Sequence, residues 1–141
     1  MQKTLIAISS LLACIGIMLF GHGLMGTLLS LRGIAEGYQE NTIGMIMSMY
    51  FLGFISGTFL CPRLIRRVGH IRTLAALAAI CAGVSILQGI WISVLGWSVT
   101  RFISGLCIVG IFMVIESWLN AQVDNNIRGR VFGFYVLINL I

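Results

Sequence analysis

Long, mostly uncharged apolar runs alternate with short polar segments along this chain of 141 residues. The runs cover residues 5–31, 43–61 and 73–119, and a last one begins at residue 131. A helix needs about 20 apolar residues to cross a bilayer, so the run 73–119 predicts two spans joined by a tight turn around residues 93–96. The pattern predicts an all-α membrane protein with four transmembrane helices, at about 5–31, 43–61, 73–93 and 97–119, and a truncated fifth that starts at 131–141.

Basic residues are concentrated on one side of the predicted membrane. That side carries Lys3, Arg63, Arg66, Arg67, Arg72, Arg128 and Arg130. The other side carries Arg32, with two acidic residues close to it. Because membrane proteins retain Lys and Arg in their cytoplasmic loops, we predict a cytoplasmic N-terminus and outer loops near residues 32–42 and 93–97. Trp91 and Trp97 flank the second outer loop, where a belt of interfacial aromatic residues is expected.

Small residues in the second and fourth spans predict close contacts between helices. Gly53 and Gly57 form a Gly-x-x-x-Gly pair, and small residues four apart let helix backbones approach each other in lipid. Gly105, about one turn after Arg101, leaves space beside that arginine. This pattern predicts a packed helix bundle and carries no information about a substrate.

Two charged residues, Arg101 and Glu116, interrupt the otherwise uncharged residues 73–123. Membrane spans keep ionisable side chains where these face protein or a water-filled cavity, so both are candidates for a solute or proton pathway. The helix between them separates them by about 60° in azimuth and about 22 Å along the axis, which is too far for an ion pair. Ser104 and Asn120 fall near the same face and are further pathway candidates. Purely structural roles stay open, because Arg101 could reach the interface with its long stem and Glu116 could accept hydrogen bonds from the following loop.

His22 lies in the glycine-rich part of the first span. Histidine titrates near neutral pH, which makes this residue a candidate proton relay. The alternative is a histidine that is hydrogen-bonded within the bundle and has no part in proton movement.

The composition excludes several other classes of protein. Charged residues make up 9% of the chain, too few to solvate a globular surface. The formal net charge of +5 does not indicate a nucleic-acid partner, because the basic residues cluster between apolar runs. The four cysteines show neither metal-ligand spacing nor a disulfide framework, and no nucleophile, phosphate or metal motif is present. We therefore expect no enzyme, no metal and no cofactor.

The segment between the second and third spans resembles a signature of the major facilitator superfamily. Arg-Arg-Val-Gly-His-Ile-Arg at residues 66–72 is similar to the second part of that signature, with Arg67, Gly69 and Arg72 at matching positions. Departures occur where the family has a glycine, an aspartate and an arginine, at Pro62, Arg66 and Ile71 respectively. The aspartate helps to gate the cytoplasmic side in the family, so that particular contact is not expected here.

Two further motifs support the same resemblance. Arg-Phe-Ile-Ser-Gly at residues 101–105 resembles the family's fourth-helix motif, which is associated with proton coupling. Asn-Ile-Arg-Gly-Arg at residues 126–130 resembles the loop that enters the fifth helix. Val-Ile-Glu-Ser at residues 114–117, ahead of that loop, is most similar to the bacterial YcaD-like subgroup.

The resemblance implies a proton-coupled transporter of a small solute in a bacterial inner membrane. Such transporters have twelve helices in two halves that alternate about a central site, so the chain would be a partial N-terminal half and C-terminal helices are expected in the full-length chain. Alone, the chain is expected not to transport. The partners implied are a small-molecule solute, H⁺ and the lipid bilayer. Arg101 would line the cavity or couple protons, and the cytoplasmic gating loop would contain Arg66, Arg67, Gly69 and Arg72.

Two alternatives to this interpretation stay open. A small four-helix multidrug exporter that works as a dimer would place an essential acid in its first helix, and residues 5–31 contain none. A membrane scaffold or assembly protein would need docking surface in its loops, and these loops are short.

Overall fold

Four long α-helices follow one another in the computed structural model. It describes the backbone of residues 2–122 and of residues 129, 133, 136 and 137, and side chains from residue 13 to residue 121 and at those four positions. The helices are α1 (Gln2–Ala35), α2 (Glu40–Val68), α3 (His70–Ile90) and α4 (Val94–Gln122). No strand occurs among these described residues. The predicted start of a fifth helix at 131–141 lies outside them, apart from residues 133, 136 and 137.

Each helix contains a segment long and apolar enough to cross a membrane, which confirms the predicted fold class. The shortest, α3, has 21 residues and is therefore about 32 Å long, close to the thickness of a bilayer's hydrocarbon core. In such a core every backbone polar group must be satisfied within the segment, and a helix does this. The apolar composition of the chain and its helical fold thus have the same physical cause.

The connections between helices are shorter than the sequence predicts. The arginine-rich segment was expected to be a loop, but α2 continues to Val68 and α3 begins at His70, so Gly69 alone joins them. Its φ of 92° lies in the left-handed region, which glycine adopts without steric cost. The loop prediction was wrong because arginine is a good helix former, and a cluster of charges does not end a helix.

The turn before α4 also lies earlier than predicted. It comprises residues 91–93, whereas the sequence placed it around residues 93–96. The Gly96 amide donates a hydrogen bond to Ser93 Oγ at 2.9 Å. Ser93 therefore acts as the N-cap of α4, a role that serine performs well because its hydroxyl accepts from an amide that has no acceptor within the helix.

Two compact units divide the chain. One consists of residues 30–116, and the other of residues 1–29 together with residues 117–141. The core of the first contains Ile46, Cys61, Leu77, Val84, Trp97, Cys107, Ile108, Ile111, Val114 and Ile115. In the most apolar stretch of α4, 56% of the residues are buried, against 22% or less in the corresponding stretches of the other three helices. Those helices leave large apolar side chains exposed, as lipid-facing helices do.

In the unit of residues 30–116, glycines bring α2 and α4 into backbone contact. A Cβ on Gly53 would overlap the carbonyl of Phe102, and one on Gly105 would overlap the carbonyl of Tyr50. Gly57 lies in the same way against Leu106 and Val109. From Gly53 with Phe102, through Gly57 with Val109, to Cys61 with Gly110, the contacting residue numbers rise together, so α2 and α4 run parallel. Gly105 thus sits in the interface and not only beside Arg101.

Candidate functional site

A row of polar side chains is buried on one face of α4. Arg101 is 3% exposed, and Thr100 and Ser104 are buried with it. The Ser104 hydroxyl donates to the Thr100 carbonyl at 2.9 Å, and the Thr100 hydroxyl donates to the Gly96 carbonyl at 2.7 Å. Both hydroxyls are thus satisfied by their own helix. Arg101 brings a permanent positive charge into the bundle interior, where a charged side chain indicates a functional site.

Tyr50 of α2 lies close enough to Arg101 for the two side chains to interact electrostatically. The contact between Gly105 and the Tyr50 carbonyl holds this part of α2 against α4. The sequence analysis missed Tyr50, although a signal exists. Tyr50, Gly53 and Gly57 are spaced i, i+3 and i+7, which places a polar aromatic residue on the same face as the packing glycines.

Gln88, near the end of α3, is a second polar residue that was not predicted from the sequence, and unlike Tyr50 it is fully buried. It is 3% exposed, and its Nε2 has no hydrogen-bond partner among the described residues. Its backbone carbonyl accepts a hydrogen bond from Trp97 Nε1 at 3.0 Å. The rule that singled out Arg101 also applies to this residue, because an amide in an apolar span must likewise face protein.

The remaining pathway candidates are Glu116, His22 and Asn120. Glu116 is exposed, and since α4 is continuous from Val94 to Gln122 it lies about 22 Å from Arg101 along the axis. His22 is half-buried and Asn120 is exposed, and both belong to the unit of residues 1–29 and 117–141. Within the unit of residues 30–116, Arg101 and Ser104 are both buried and lie one turn apart on α4, away from Glu116.

The residues of the predicted gate surround the one-residue turn at Gly69. Arg66 and Arg67 lie in the last turn of α2, where positive charge is favourable against the carbonyl end of the helix dipole. Arg72 lies near the start of α3, and all three side chains are exposed. The turn therefore presents a compact basic surface. Among the described residues, no cluster of three His, Cys, Asp or Glu side chains could hold a metal ion.

In the part of the chain that the structure describes, four helices are long and apolar enough to span a membrane and one of them carries a buried arginine, which defines a polytopic membrane protein. The chain belongs to the Major Facilitator Superfamily, which it matches over residues 6–141. This confirms the resemblance inferred from the motifs and goes against the dimeric four-helix exporter.

The chain is also similar to several bacterial proteins of this class. It is 35% identical over 118 residues to an uncharacterized MFS-type transporter of Enterobacter sp. (strain 638), covering 81% of this chain and 30% of that protein. It is 36% identical over 100 residues to the MFS-type transporter YcaD of Salmonella arizonae and of Salmonella newport, covering 68% of this chain and 25% of each. The chain thus spans less than a third of these relatives. No solved structure matches it.

Proposed function

We propose that this chain is the N-terminal part of a secondary active transporter that moves a small solute across a bacterial inner membrane. The observation that carries the proposal is the burial of Arg101 in a chain of the Major Facilitator Superfamily. A guanidinium in a membrane interior is costly, and membrane proteins retain such groups chiefly on substrate, ion or proton pathways. Transport occurs by alternating access, in which two halves rock about a site near the midplane.

Arg101 is the coupling residue in this proposal. Its fixed positive charge orients an anionic group of the solute, or favours the deprotonated form of a neighbouring acidic proton acceptor. Ser104 lines the same part of the passage. Glu116, His22 and Asn120 are second-rank candidates for carrying protons or solute toward the cytoplasm.

The basic surface at the α2–α3 turn is the cytoplasmic gate of the proposed transporter. Arg66, Arg67 and Arg72 are exposed around Gly69 and can form charge pairs with acidic groups on other helices when the cytoplasmic side closes. The same arginines orient the chain, because basic loops stay in the cytoplasm. In this proposal the N-terminus lies in the cytoplasm and the turn at residues 91–93 lies outside.

Further helices complete the transport site in this proposal. The support is that the chain spans 30% of the Enterobacter relative and 25% of the Salmonella relatives. A solute site between two halves needs both halves, so residues 1–141 alone are expected to bind no solute with useful affinity.

Solute accumulation tests the proposed function directly. The native gene product, residues 1–141 alone and an empty vector are expressed in the same bacterial strain, and small molecules inside and outside the cells are compared by mass spectrometry. At least one solute is expected to change its distribution only with the native product. Identical profiles in all three strains, with the native product present in the membrane, would instead favour a scaffold or assembly protein.

A further inference from the structure

Two tryptophans near the turn at residues 91–93 have opposite surroundings. Trp91 is 48% exposed, whereas Trp97 is 1% exposed. Tryptophans at this depth of a membrane protein are expected in the interfacial belt, with the ring toward lipid. Trp91 meets this expectation. Trp97 is instead enclosed by protein, so its role must be sought in what it contacts.

The indole of Trp97 caps the end of α3. Its Nε1–H donates to the Gln88 carbonyl at 3.0 Å. Gln88 lies in the last turn of α3, which ends at Ile90, so its carbonyl has no amide four residues later within the helix. A buried carbonyl needs a donor. The Trp97 side chain supplies this donor, and so links the end of α3 to the start of α4.

The same ring holds the end of α1 and the connection that follows it. Tyr38 packs edge-on against Trp97, with ring centroids 5.6 Å apart and an interplanar angle of 78°. Gly33 lies against the same ring, because a Cβ on it would be in ordinary contact with the Trp97 ring at 3.6 Å and in tighter contact with the Ile43 side chain at 3.1 Å. We call Gly33, Tyr38, Gln88 and Trp97 the outer clamp.

The α4 residue of the outer clamp, Trp97, lies one helical turn before Arg101. Trp97 and Arg101 are four residues apart, which places them on one helix face. Helical side chains lean toward the N-terminus of their helix, and for Arg101 that is the direction of the turn that carries Trp97. Both residues are buried. Trp97 thus lies one turn nearer than Arg101 to the α3–α4 end of the bundle.

We propose that Trp97 is a positioning residue, which fixes the start of α4 through the outer clamp and shields Arg101 from water at the α3–α4 end. This inference deepens the proposed function, on which the importance of Arg101 rests. The shielding itself does not depend on transport. It therefore can be tested without knowledge of the solute.

Thiol labelling tests the shield. In the native gene product, Cys14, Cys61, Cys81, Cys107 and every cysteine outside residues 1–141 are replaced by alanine, and Ser104→Cys is introduced as a buried reporter one turn below Arg101. A membrane-impermeant maleimide is applied to right-side-out and to inside-out vesicles. Trp97→Ala is expected to raise the labelling rate from the outer face about tenfold, because losing the ring and a buried hydrogen bond favours local opening. Trp91→Ala, which removes the exposed indole, is the matched control and is expected to keep the parent rate.

Two further variants keep the test decisive if Trp97→Ala does not accumulate in the membrane. Trp97→Phe retains an aromatic ring and is expected to label close to the parent rate, and Tyr38→Ala uncovers one side of the ring and is expected to label faster. An unchanged rate in both Trp97→Ala and Tyr38→Ala would overturn the proposal. So would an equal rise in Trp91→Ala, or equal increases from both faces, which indicate general loosening.

The two vesicle orientations separate this inference from the proposed function. A faster rate confined to inside-out vesicles would support the shield and contradict the proposed orientation of the chain. A faster rate in right-side-out vesicles, in a protein that moves no solute, would support the shield and leave the transport proposal to fail on its own evidence.

Discussion

Replacing Arg101 with alanine is expected to slow solute accumulation at least tenfold while the carrier is still made and inserted. Arg101 is buried on α4, beside Tyr50 of α2. A hydrogen bond to a charged group contributes about 1.5–3 kcal/mol, so losing one contact to the solute or proton acceptor corresponds to about a tenfold to hundredfold loss of activity. Arg101→Lys keeps the charge but not the planar fork of donors, and it is expected to retain part of the activity. The measurement is the initial rate of accumulation of the solute found by the comparison of strains.

The matched control for this variant is Arg63→Ala. Arg63 is exposed and donates to the Phe59 carbonyl of its own helix at 2.7 Å, so its loss is expected to leave accumulation nearly unchanged. Carrier amount in the membrane is measured for every variant. Normal accumulation by Arg101→Ala would remove Arg101 from the mechanism.

Gly105→Ala is expected to destabilise the bundle more than any other single-methyl addition in α4 for which the structure gives a neighbour. The new Cβ would overlap the Tyr50 carbonyl and lie 2.9 Å from the Phe54 amide nitrogen. These neighbours are backbone atoms, which cannot rotate away, so α2 and α4 must separate. Overpacking of this kind costs about 3 kcal/mol. The measurement is the midpoint of thermal unfolding in detergent, followed by the fraction of protein that stays monodisperse.

Gly83→Ala in α3 is the control for Gly105→Ala. A Cβ there meets nothing within 4 Å, and alanine favours helix over glycine by up to about 1 kcal/mol. Its midpoint is expected to stay the same or rise slightly. Equal midpoints for the two variants would show that α2 and α4 do not touch at Gly105.

The number of described spans could be predicted because it follows from a local rule, and a second local rule made Arg101 a candidate for burial while its reach to the interface stayed open. Apolar runs of sufficient length become membrane helices, and a charge within one must face protein. The breaks between helices were harder to predict. Arginines at the end of α2 have good helix propensity, so the helix continues to Val68. The end of α2 depends on Gly69 alone and the start of α4 on Ser93 alone, and a signal of one residue is weak beside a run of about 20 apolar residues.

Which residues pack against α4 depends on tertiary contacts, and the sequence pattern does not show which helices are neighbours. Trp91 and Trp97 are the same residue type on either side of the same turn, and the sequence does not distinguish them. The packing of α3 and α4 determines that the Trp97 ring is buried and the Trp91 ring is exposed. Tyr50 and Gln88 carry a visible signal, a polar group within an apolar run. What they contact depends on which helices are neighbours, and this the pattern of apolar positions leaves open.

Solute-driven proton movement is the measurement that tests the central claim most directly. The purified native gene product is reconstituted into liposomes with an imposed pH gradient and a fluorescent pH probe inside. A transported solute is expected to accelerate collapse of the gradient with the wild-type carrier and not with Arg101→Ala. Solute entry without any change in the gradient, or equal collapse with both proteins, would contradict a proton-coupled carrier that works through Arg101.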